Sequence, residues 1–256
     1  MRRILLNDKY EHLREFISSL PERMDSEGEY VYGGRRNLIK RFTTDDGIQL
    51  SVKRYKKPNI ISNIVYSLGI KKPKGLRAYT YPQILKEKNI ETPEAIAYIE
   101  DRQCRLLGYS YFISLHCPYT HLLYEIGNAE EGTYEELAKA LASFAAHMHE
   151  NGVLHQDFSP GNILWEKTDE SNKPSSYSFS IVDINRMVFG PVGMKEGAES
   201  FARLWGPKRF ISILTREYAR IRGFNADETE DFTMQARARF WKKYMKKREI
   251  EFNLEL

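Results

Sequence analysis

Cysteine is scarce in this 256-residue sequence, which contains only Cys104 and Cys117. Two cysteines cannot build a disulfide framework, and their spacing is not that of a metal site. We expect both to act as small apolar residues in or near strands. The sequence therefore favours a reducing cytoplasm as the protein's environment.

Long hydrophobic runs are also missing. The apolar run at residues 4–6 ends at Asn7-Asp8-Lys9, too early for a signal peptide. No stretch approaches the ~20 apolar residues that a membrane-spanning helix requires. We therefore expect neither export nor integral membrane insertion. The 41% hydrophobic and 29% charged composition, without internal repeats or low-complexity linkers, excludes a disordered chain.

Acidic residues are rare in one region. Between Arg35 and Arg77 twelve Lys and Arg residues stand against only Asp45 and Asp46, a local excess of ten positive charges in a chain of net charge +4. A second basic cluster occupies residues 242–248. Such patches attract nucleic acid, acidic lipid head groups or phosphorylated glycolipid, although a merely solvated surface is the alternative. No groove-reading motif or stacking platform is present, so we expect no nucleic-acid partner.

Residue patterns divide the chain into a β-rich first half and a helical second half. Strands are predicted at residues 30–32, 37–42, 48–55, 96–99 and 103–115, with a helix over 76–88 in which Pro82 predicts a late start or a kink. The prediction is an α+β, bilobal fold: a β-rich N-lobe at residues 1–117 and a mainly helical C-lobe at 118–256.

The clearest helix of the second half is predicted over residues 134–150. Thr133 and Glu136 suit a capping box at its start, and Gly152 suits a left-handed stop. Its apolar face is expected to comprise Leu137, Leu141, Phe144 and Met148. Strands are predicted at 163–165 and 179–182, on either side of a polar hairpin tip, and mostly helix from about 196 to 248.

The strongest chemical signal is His155-Gln156-Asp157, followed after four residues by Asn162. This H-x-D-x-x-x-x-N loop lies between a predicted helix and a short strand, and Asp183 ends a later strand. Phosphoryl transfer needs one carboxylate to orient or deprotonate a hydroxyl, while a carboxamide and a second carboxylate hold Mg²⁺. The pattern predicts Asp157 as the base, and Asn162 and Asp183 as metal ligands.

Two weaker signals precede this loop. Lys53 alternates along a predicted strand, at the place where a kinase lysine reaches the α- and β-phosphates of ATP. Gly33 and Gly34 occupy the place of a phosphate-covering loop, although the sequence is not G-x-G-x-x-G. Backbone N–H groups beside these glycines could bind phosphate. A hairpin turn with surface arginines is the alternative.

These motifs together resemble the lipopolysaccharide core kinases of the Kdo/WaaP type, within the protein-kinase-like superfamily. The resemblance covers residues 32–204. It is carried by residues 34–37, 52–58 and 92–100, by the catalytic loop 155–162, and by Asp183-Ile184-Asn185-Arg186-Met187. The catalytic loop alone would also suit aminoglycoside and choline phosphotransferases; the other blocks favour the lipopolysaccharide kinases.

The resemblance implies ATP- and Mg²⁺-dependent phosphorylation of a Kdo or heptose sugar at the cytoplasmic face of the inner membrane. The partner implied is lipopolysaccharide core glycolipid or another anionic acceptor, with peripheral membrane contact. Lys53 would bind ATP, and Gly33, Gly34 and Asn37 would lie over the nucleotide. Asp157 would be the base, whereas His155 is expected to brace the loop rather than to titrate.

The sequence also departs from a typical kinase. No phenylalanine–glycine pair follows Asp183, and no A-P-E motif follows later. The predicted helix at 76–88 has Glu87 as its only acid, near its end, so Glu87 or another group must pair with Lys53 if the site is intact. Ser159 replaces the lysine common in protein kinases. A kinase of protein or of a soluble small molecule, and a nucleotide-binding pseudokinase, therefore remain alternatives.

Overall fold

The computed structural model describes residues 1–33, 37–103, 106–168 and 176–256. The chain forms two compact units, Met1–Pro118 and Tyr119–Leu256. Cys104, which was expected in or near a strand, lies outside the described residues.

The first unit is built on an antiparallel sheet with the strand order β1-β5-β6-β4-β3-β2. Its strands are β1 (Arg2–Leu6), β2 (Glu29–Gly33), β3 (Asn37–Thr43), β4 (Gln49–Tyr55), β5 (Ala95–Gln103) and β6 (Leu106–Leu115). Its α-helices are α1 (Arg14–Arg23), α2 (Ile60–Ser67) and α3 (Lys74–Glu87), and a 3-10 helix spans Asp8–Leu13.

Helices cover both faces of this sheet. Ile17 and Leu20 of α1 belong to the same buried cluster as Leu50 and Val52 of β4. Successive strand residues point to opposite faces, so Ser51 and Lys53 lie on the other side. The helix α3 packs against β5. A Cβ atom added to its Gly75 would lie 2.7 Å from the Tyr98 ring, so glycine permits this close approach.

The strands predicted in the first half are confirmed, with shifted ends. The helix predicted at 76–88 begins earlier, at Lys74, and runs through the buried Pro82, so the late start expected from proline is wrong. The residue patterns did not predict β1, α1 or α2. Strand β1 has five residues, and only its pairing with β5 shows its role. No helix in the described parts of the chain is long and apolar enough to cross a membrane.

The second unit is mainly helical, with two small sheets. Its α-helices are α4 (Glu135–Glu150), α5 (Met194–Ser200), α6 (Lys208–Arg222) and α7 (Ala226–Met245). Its strands are β7 (His121–Leu122), β8 (Val153–His155), β9 (Ile163–Lys167), β10 (Tyr177–Ile181) and β11 (Met187–Phe189). The sheet orders are β10-β9-β7 and β11-β8. Part of the hairpin tip predicted between the strands at 163–165 and 179–182, residues 169–175, lies outside the described residues.

The capping box predicted for α4 is wrong, although the helix itself is confirmed. The Thr133 hydroxyl donates to the Glu130 carbonyl (2.6 Å) instead of accepting from the helix. The helix begins one residue later than predicted, and its first residue, Glu135, accepts from the N–H groups of Gly132 (2.9 Å) and Tyr134 (3.2 Å). At the other end Gly152 has φ of +67°, the left-handed stop that was expected.

His149 is a buried polar residue where α4 packs on α6. Its Nδ1 lies 2.9 Å from the Tyr218 hydroxyl, and the Tyr218 ring packs edge-on against the imidazole. Burial, with a smaller effect from the nearby Arg222 guanidinium, lowers the pKa of His149 to about 3. The packing of α4 on α6 therefore contains a histidine that must remain neutral.

The lowered pKa of His149 predicts that the folded protein loses stability in mild acid. The unfolded chain binds the proton below the ordinary pKa of 6.5, whereas folded His149 stays neutral down to about 3. The stability from this difference is complete above pH 6.5 and is lost as pH falls toward the folded value. Between pH 6.5 and about 4.5 the loss should reach roughly 2–3 kcal/mol.

Urea unfolding at several pH values would measure this loss, with His149→Gln as the comparison. The variant should show a shallower fall in the free energy of unfolding over the same range. Equal slopes for the two proteins would contradict the assignment.

Candidate active site

The residues predicted to act in phosphoryl transfer fall into two groups. The second unit holds the catalytic and metal-binding candidates His155, Asp157, Asn162 and Asp183. The first unit holds the nucleotide-binding candidates Gly33, Asn37 and Lys53. Gly34, the remaining candidate, lies outside the described residues together with Arg35 and Arg36.

A two-stranded sheet places the start of the catalytic loop beside the segment that follows Asp183. Strand β8 leads into the loop and pairs with β11, so that His155 lies opposite Met187. The Gln156 N–H donates to the Arg186 carbonyl (3.3 Å), which extends this pairing by one bond. Residues thirty positions apart in sequence are thereby held side by side.

A hairpin positions the two metal-ligand candidates. Strands β9 and β10 pair antiparallel with Ile163 opposite Ile181, so Asn162 and Val182 lie together at the open end. The Val182 N–H donates to the Asn162 carbonyl (3.0 Å). The backbones of Asn162 and of the residue before Asp183 are therefore bonded directly.

His155 links the catalytic loop to the same segment. Only 1% of this residue is exposed. Its Nδ1 accepts from the Asp157 N–H (3.0 Å), and its Nε2 lies 3.0 Å from the Val182 carbonyl. Since Nδ1 accepts, the proton belongs on Nε2, which donates to Val182. Burial lowers the pKa of His155, which keeps the imidazole in this neutral form.

Asn162 and Asp183 offer the oxygen ligands that Mg²⁺ prefers. The Asn162 side-chain N–H₂ donates to the Asp157 carbonyl (2.9 Å) and to the Ser159 hydroxyl (3.2 Å). These bonds fix the amide, so its carbonyl oxygen is the atom left to accept or to coordinate. The described residues hold no cluster of three His, Cys, Asp or Glu suited to a metal. A carboxylate, a carboxamide and phosphate oxygens nevertheless form a fitting set.

Asp183 has an unusual backbone conformation. It follows β10 with φ of +54° and ψ of +39°, in the left-handed region that non-glycine residues seldom occupy. Its carboxylate accepts a hydrogen bond from the Asn185 side chain. Asp and Asn tolerate this region better than other L-residues. Strain of this kind is concentrated at functional sites, which supports a specific role for this side chain.

The Asp157 carboxylate faces two arginines that the sequence analysis gave no role. One oxygen bonds to Nη1 of Arg203, and the other lies 3.4 Å from Nη1 of Arg186. Arg186 belongs to the stretch quoted for the family resemblance. Arg203, 46 positions beyond Asp157, carries no local pattern that marks it. Both guanidinium groups remain partly exposed.

Aromatic packing determines where Arg203 lies. It ends a 3-10 helix, Phe201–Arg203, whose Phe201 is fully buried. The Phe201 ring contacts Phe158 of the catalytic loop (centroids 6.2 Å apart) and Tyr218 of α6 (5.1 Å). The loop and the short helix thus share one core. The Arg203 guanidinium also lies over the Phe240 ring of α7, at 5.3 Å.

The nucleotide-binding candidates of the first unit lie on neighbouring strands. Lys53 of β4 is half-buried, pairs with Ile39 of β3 and Phe112 of β6, and its Nζ lies 5.3 Å from the Tyr55 ring centroid. Gly33 ends β2 and Asn37 begins β3. Glu87, the proposed partner of Lys53, is exposed and accepts from Gln83 (3.0 Å).

Comparison of the structure with known ones gives a clear likeness. The solved structure described as WaaP in complex with acyl carrier protein matches with a TM-score of 0.59 at 18% identity, over 96% of this chain and 100% of that one. The chain has a protein-kinase-like fold. The fold class predicted from the sequence, an α+β kinase-like protein similar to the lipopolysaccharide core kinases, is thereby confirmed.

Other matches are more distant. Two structures of Rio2 kinase from Chaetomium thermophilum, one of them an ADP/Mg²⁺-phosphoaspartate complex, have TM-scores of 0.49 and 0.48 at 13% identity. They cover 93% and 96% of this chain, and 78% and 84% of their own. No family model matches the sequence, and no curated protein matches it. The likeness is therefore one of fold.

The geometry of Asp183 predicts the effect of replacing it by asparagine. Asn also tolerates positive φ, so Asp183→Asn should fold and melt like the wild type. Under the predicted role of Asp183 as a metal ligand, loss of its charge should raise the Mg²⁺ concentration required for nucleotide binding by about 10- to 100-fold. Titration of Mg²⁺ against a fluorescent ATP analogue would measure this.

Asp227→Asn is the matched control, since Asp227 is an exposed carboxylate of α7 that pairs with Arg216 (2.7 Å). It should titrate like the wild type. An unchanged Mg²⁺ requirement in Asp183→Asn would show that the metal is held elsewhere.

Proposed function

We propose that this protein is an ATP- and Mg²⁺-dependent phosphotransferase that phosphorylates a sugar, Kdo or heptose, of the lipopolysaccharide core. The observation that carries this proposal is the connected arrangement around His155. Backbone hydrogen bonds and one buried imidazole join the loop of Asp157 to Asn162 and to the residue before Asp183. A carboxylate for the acceptor hydroxyl and two oxygen ligands for a cation are thus held on one backbone framework.

Each residue has a definite task in this proposal. Asp157 orients the acceptor hydroxyl and takes its proton as the phosphoryl group moves, the role of the catalytic-loop aspartate in kinases. Asn162 and Asp183 would hold Mg²⁺, which when bound neutralises the phosphate oxygens. Lys53 would bind the α- and β-phosphates, with Gly33, Gly34 and Asn37 over the nucleotide. His155 positions the loop and stays neutral.

The arginines beside Asp157 support an anionic acceptor. Arg186 and Arg203 place two guanidinium groups at the carboxylate that must meet the acceptor hydroxyl. Guanidinium groups bind carboxylate and phosphate by paired, charge-assisted hydrogen bonds. A sugar acid such as Kdo, or a sugar already carrying phosphate nearby, offers such a group. A neutral sugar or an alcohol would offer no anion to these two guanidinium groups.

The lipid-linked nature of such an acceptor places the reaction at the cytoplasmic face of the inner membrane. We infer peripheral contact with that membrane, since the basic residues between Arg35 and Arg77 would attract an anionic surface. A kinase of a soluble small molecule or of protein would need no such contact. Association with membranes is therefore a property that separates these alternatives.

One observation favours a second candidate, a nucleotide-binding protein that transfers no phosphate. The Asp157 carboxylate is paired with Arg203 and Arg186, so both of its oxygens face guanidinium groups rather than an acceptor hydroxyl. Proton abstraction is a minor part of phosphoryl transfer, however, because positioning and charge neutralisation dominate. The same pairing is also what an anionic acceptor would displace.

The Asp157→Asn variant tests the assignment of the base. It removes the proton acceptor but keeps the size of the side chain, so transfer should fall by about 10²- to 10⁴-fold while ATP binding persists. The measurement is transfer of labelled γ-phosphate from Mg-ATP to deacylated lipopolysaccharide core. Turnover by Asp157→Asn equal to that of the wild type would contradict the assignment of Asp157 as the base. Nucleotide binding by both proteins with no transfer to core, soluble sugars or protein extracts would favour the second candidate.

The Arg203→Gln variant tests the anionic acceptor. Loss of one charge-assisted contact should raise the acceptor KM by about 10- to 100-fold and leave the ATP KM unchanged. Arg209→Gln is the control, because Arg209 is an exposed arginine paired with Glu131 (2.8 Å). Steady-state kinetics against both substrates would separate the effects. An unchanged acceptor KM in Arg203→Gln would remove the argument for an anion at this position.

A further inference from the structure

Helix α2 presents apolar side chains to solvent. Ile60, Ile61, Ile64 and Leu68 are 81%, 74%, 50% and 68% exposed, and the following Ile70 is 71% exposed. None of the residues of α2 is buried. Single exposed apolar residues are ordinary, but five within eleven positions form a patch that water disfavours.

The spacing of these residues gives the helix one apolar side. At 100° per residue, positions 60, 61, 64 and 68 fall within an arc of about 100°. Asn63 lies outside that arc and holds the helix to β6. Its side chain donates to the Leu107 carbonyl (3.1 Å) and accepts from the Leu107 N–H (2.7 Å). The apolar side is therefore turned outward by a specific attachment.

Both ends of the helix are also fixed. The Asn59 side chain caps the start by accepting from the Ser62 N–H (2.9 Å). At the other end Gly69 has φ of +72°, and the Ile70 N–H donates to the Val65 carbonyl (3.1 Å). This turn keeps Ile70 next to the last turn of the helix. The exposed apolar patch therefore lies on an ordered helix.

Lysines flank the patch on both sides. We define the α2 surface as the five apolar residues named above together with Lys56, Lys57, Lys71, Lys72 and Lys74. These lysines are exposed, and the sequence has no acidic residue between Asp46 and Glu87. Asp25, which reaches this region from the end of α1, is paired with Arg54 (2.8 Å). The α2 surface is apolar at its centre and cationic at its edges.

This combination fits a lipid surface better than a protein. Protein interfaces are enriched in aromatic residues and arginine and depleted in lysine, the opposite of the α2 surface. An amphipathic helix with an apolar side and flanking cations lies in the plane of a membrane interface, with its apolar side among the acyl chains and its lysines at anionic head groups. We propose that α2 is a membrane-docking helix for bilayers that contain anionic lipid.

This proposal names the element behind the membrane contact inferred above, but its test does not depend on catalysis. Co-sedimentation with phosphatidylcholine vesicles, with and without phosphatidylglycerol, measures binding of the whole chain. Wild type should sediment only with the anionic vesicles, and Asp157→Asn should behave identically. Failure of phosphate transfer would leave this result untouched, and failure to bind vesicles would leave the transfer reaction untouched.

Two variants localise the contact. Ile61→Ser/Ile64→Ser removes exposed apolar groups, so the fold should persist by circular dichroism while the partition coefficient falls by about tenfold or more. Lys71→Gln/Lys72→Gln should also weaken binding, by about tenfold, at low salt. Lys246→Gln/Lys247→Gln is the charge-matched control, because it makes the same change in the basic cluster after α7. It should bind like the wild type.

Three results would overturn the proposal. Wild type that stays in the supernatant with anionic vesicles would assign the α2 surface to a soluble partner. Full binding by Ile61→Ser/Ile64→Ser would show that the apolar side does not insert. Equal losses in the two lysine variants would show attraction by net charge alone, without a docking element.

Discussion

The imidazole of His155 hydrogen-bonds main-chain atoms of two residues, the Asp157 N–H and the Val182 carbonyl. It therefore links the two backbones directly. Protonation would convert Nδ1 from an acceptor to a donor and break the bond to Asp157. Burial opposes that protonation by lowering the pKa. The geometry of the candidate site depends on this ring remaining neutral and in place.

Strand pairing and aromatic packing support the hydrogen bonds of His155. Pairing of β8 with β11 and of β9 with β10 brings both segments to it. The rings of Phe158, Phe201 and Tyr218 then join the catalytic loop to a short 3-10 helix and to α6. The buried core of the second unit thereby determines the position of Arg203, which contacts the Asp157 carboxylate. Aromatic packing in the second unit thus positions a charged group of the site.

The sequence predicted those parts of the molecule that local pattern encodes. The kinase-like fold follows from the order of strands and helices, and the loop from His155 to Asn162 is a contiguous motif. Arg203 could not be predicted, because its contact spans 46 residues and depends on aromatic packing. The predicted cap of α4 is wrong for a different reason: the helix starts one residue later, so Thr133 is not the N-cap residue, and Glu135 accepts from the preceding N–H groups. The exposure of α2 depends on how Asn63 attaches it to β6.

The pairing of Asp157 with Arg186 and Arg203 has a consequence for the competition between water and the acceptor. In a phosphotransferase, water competes with the acceptor for the activated phosphoryl group. A carboxylate occupied by guanidinium groups is poorly placed to orient a water molecule. An acceptor whose own anion draws those groups away would release the carboxylate as it arrives. Under the proposed function, Arg186 and Arg203 would therefore restrain wasteful hydrolysis of ATP until the acceptor is bound.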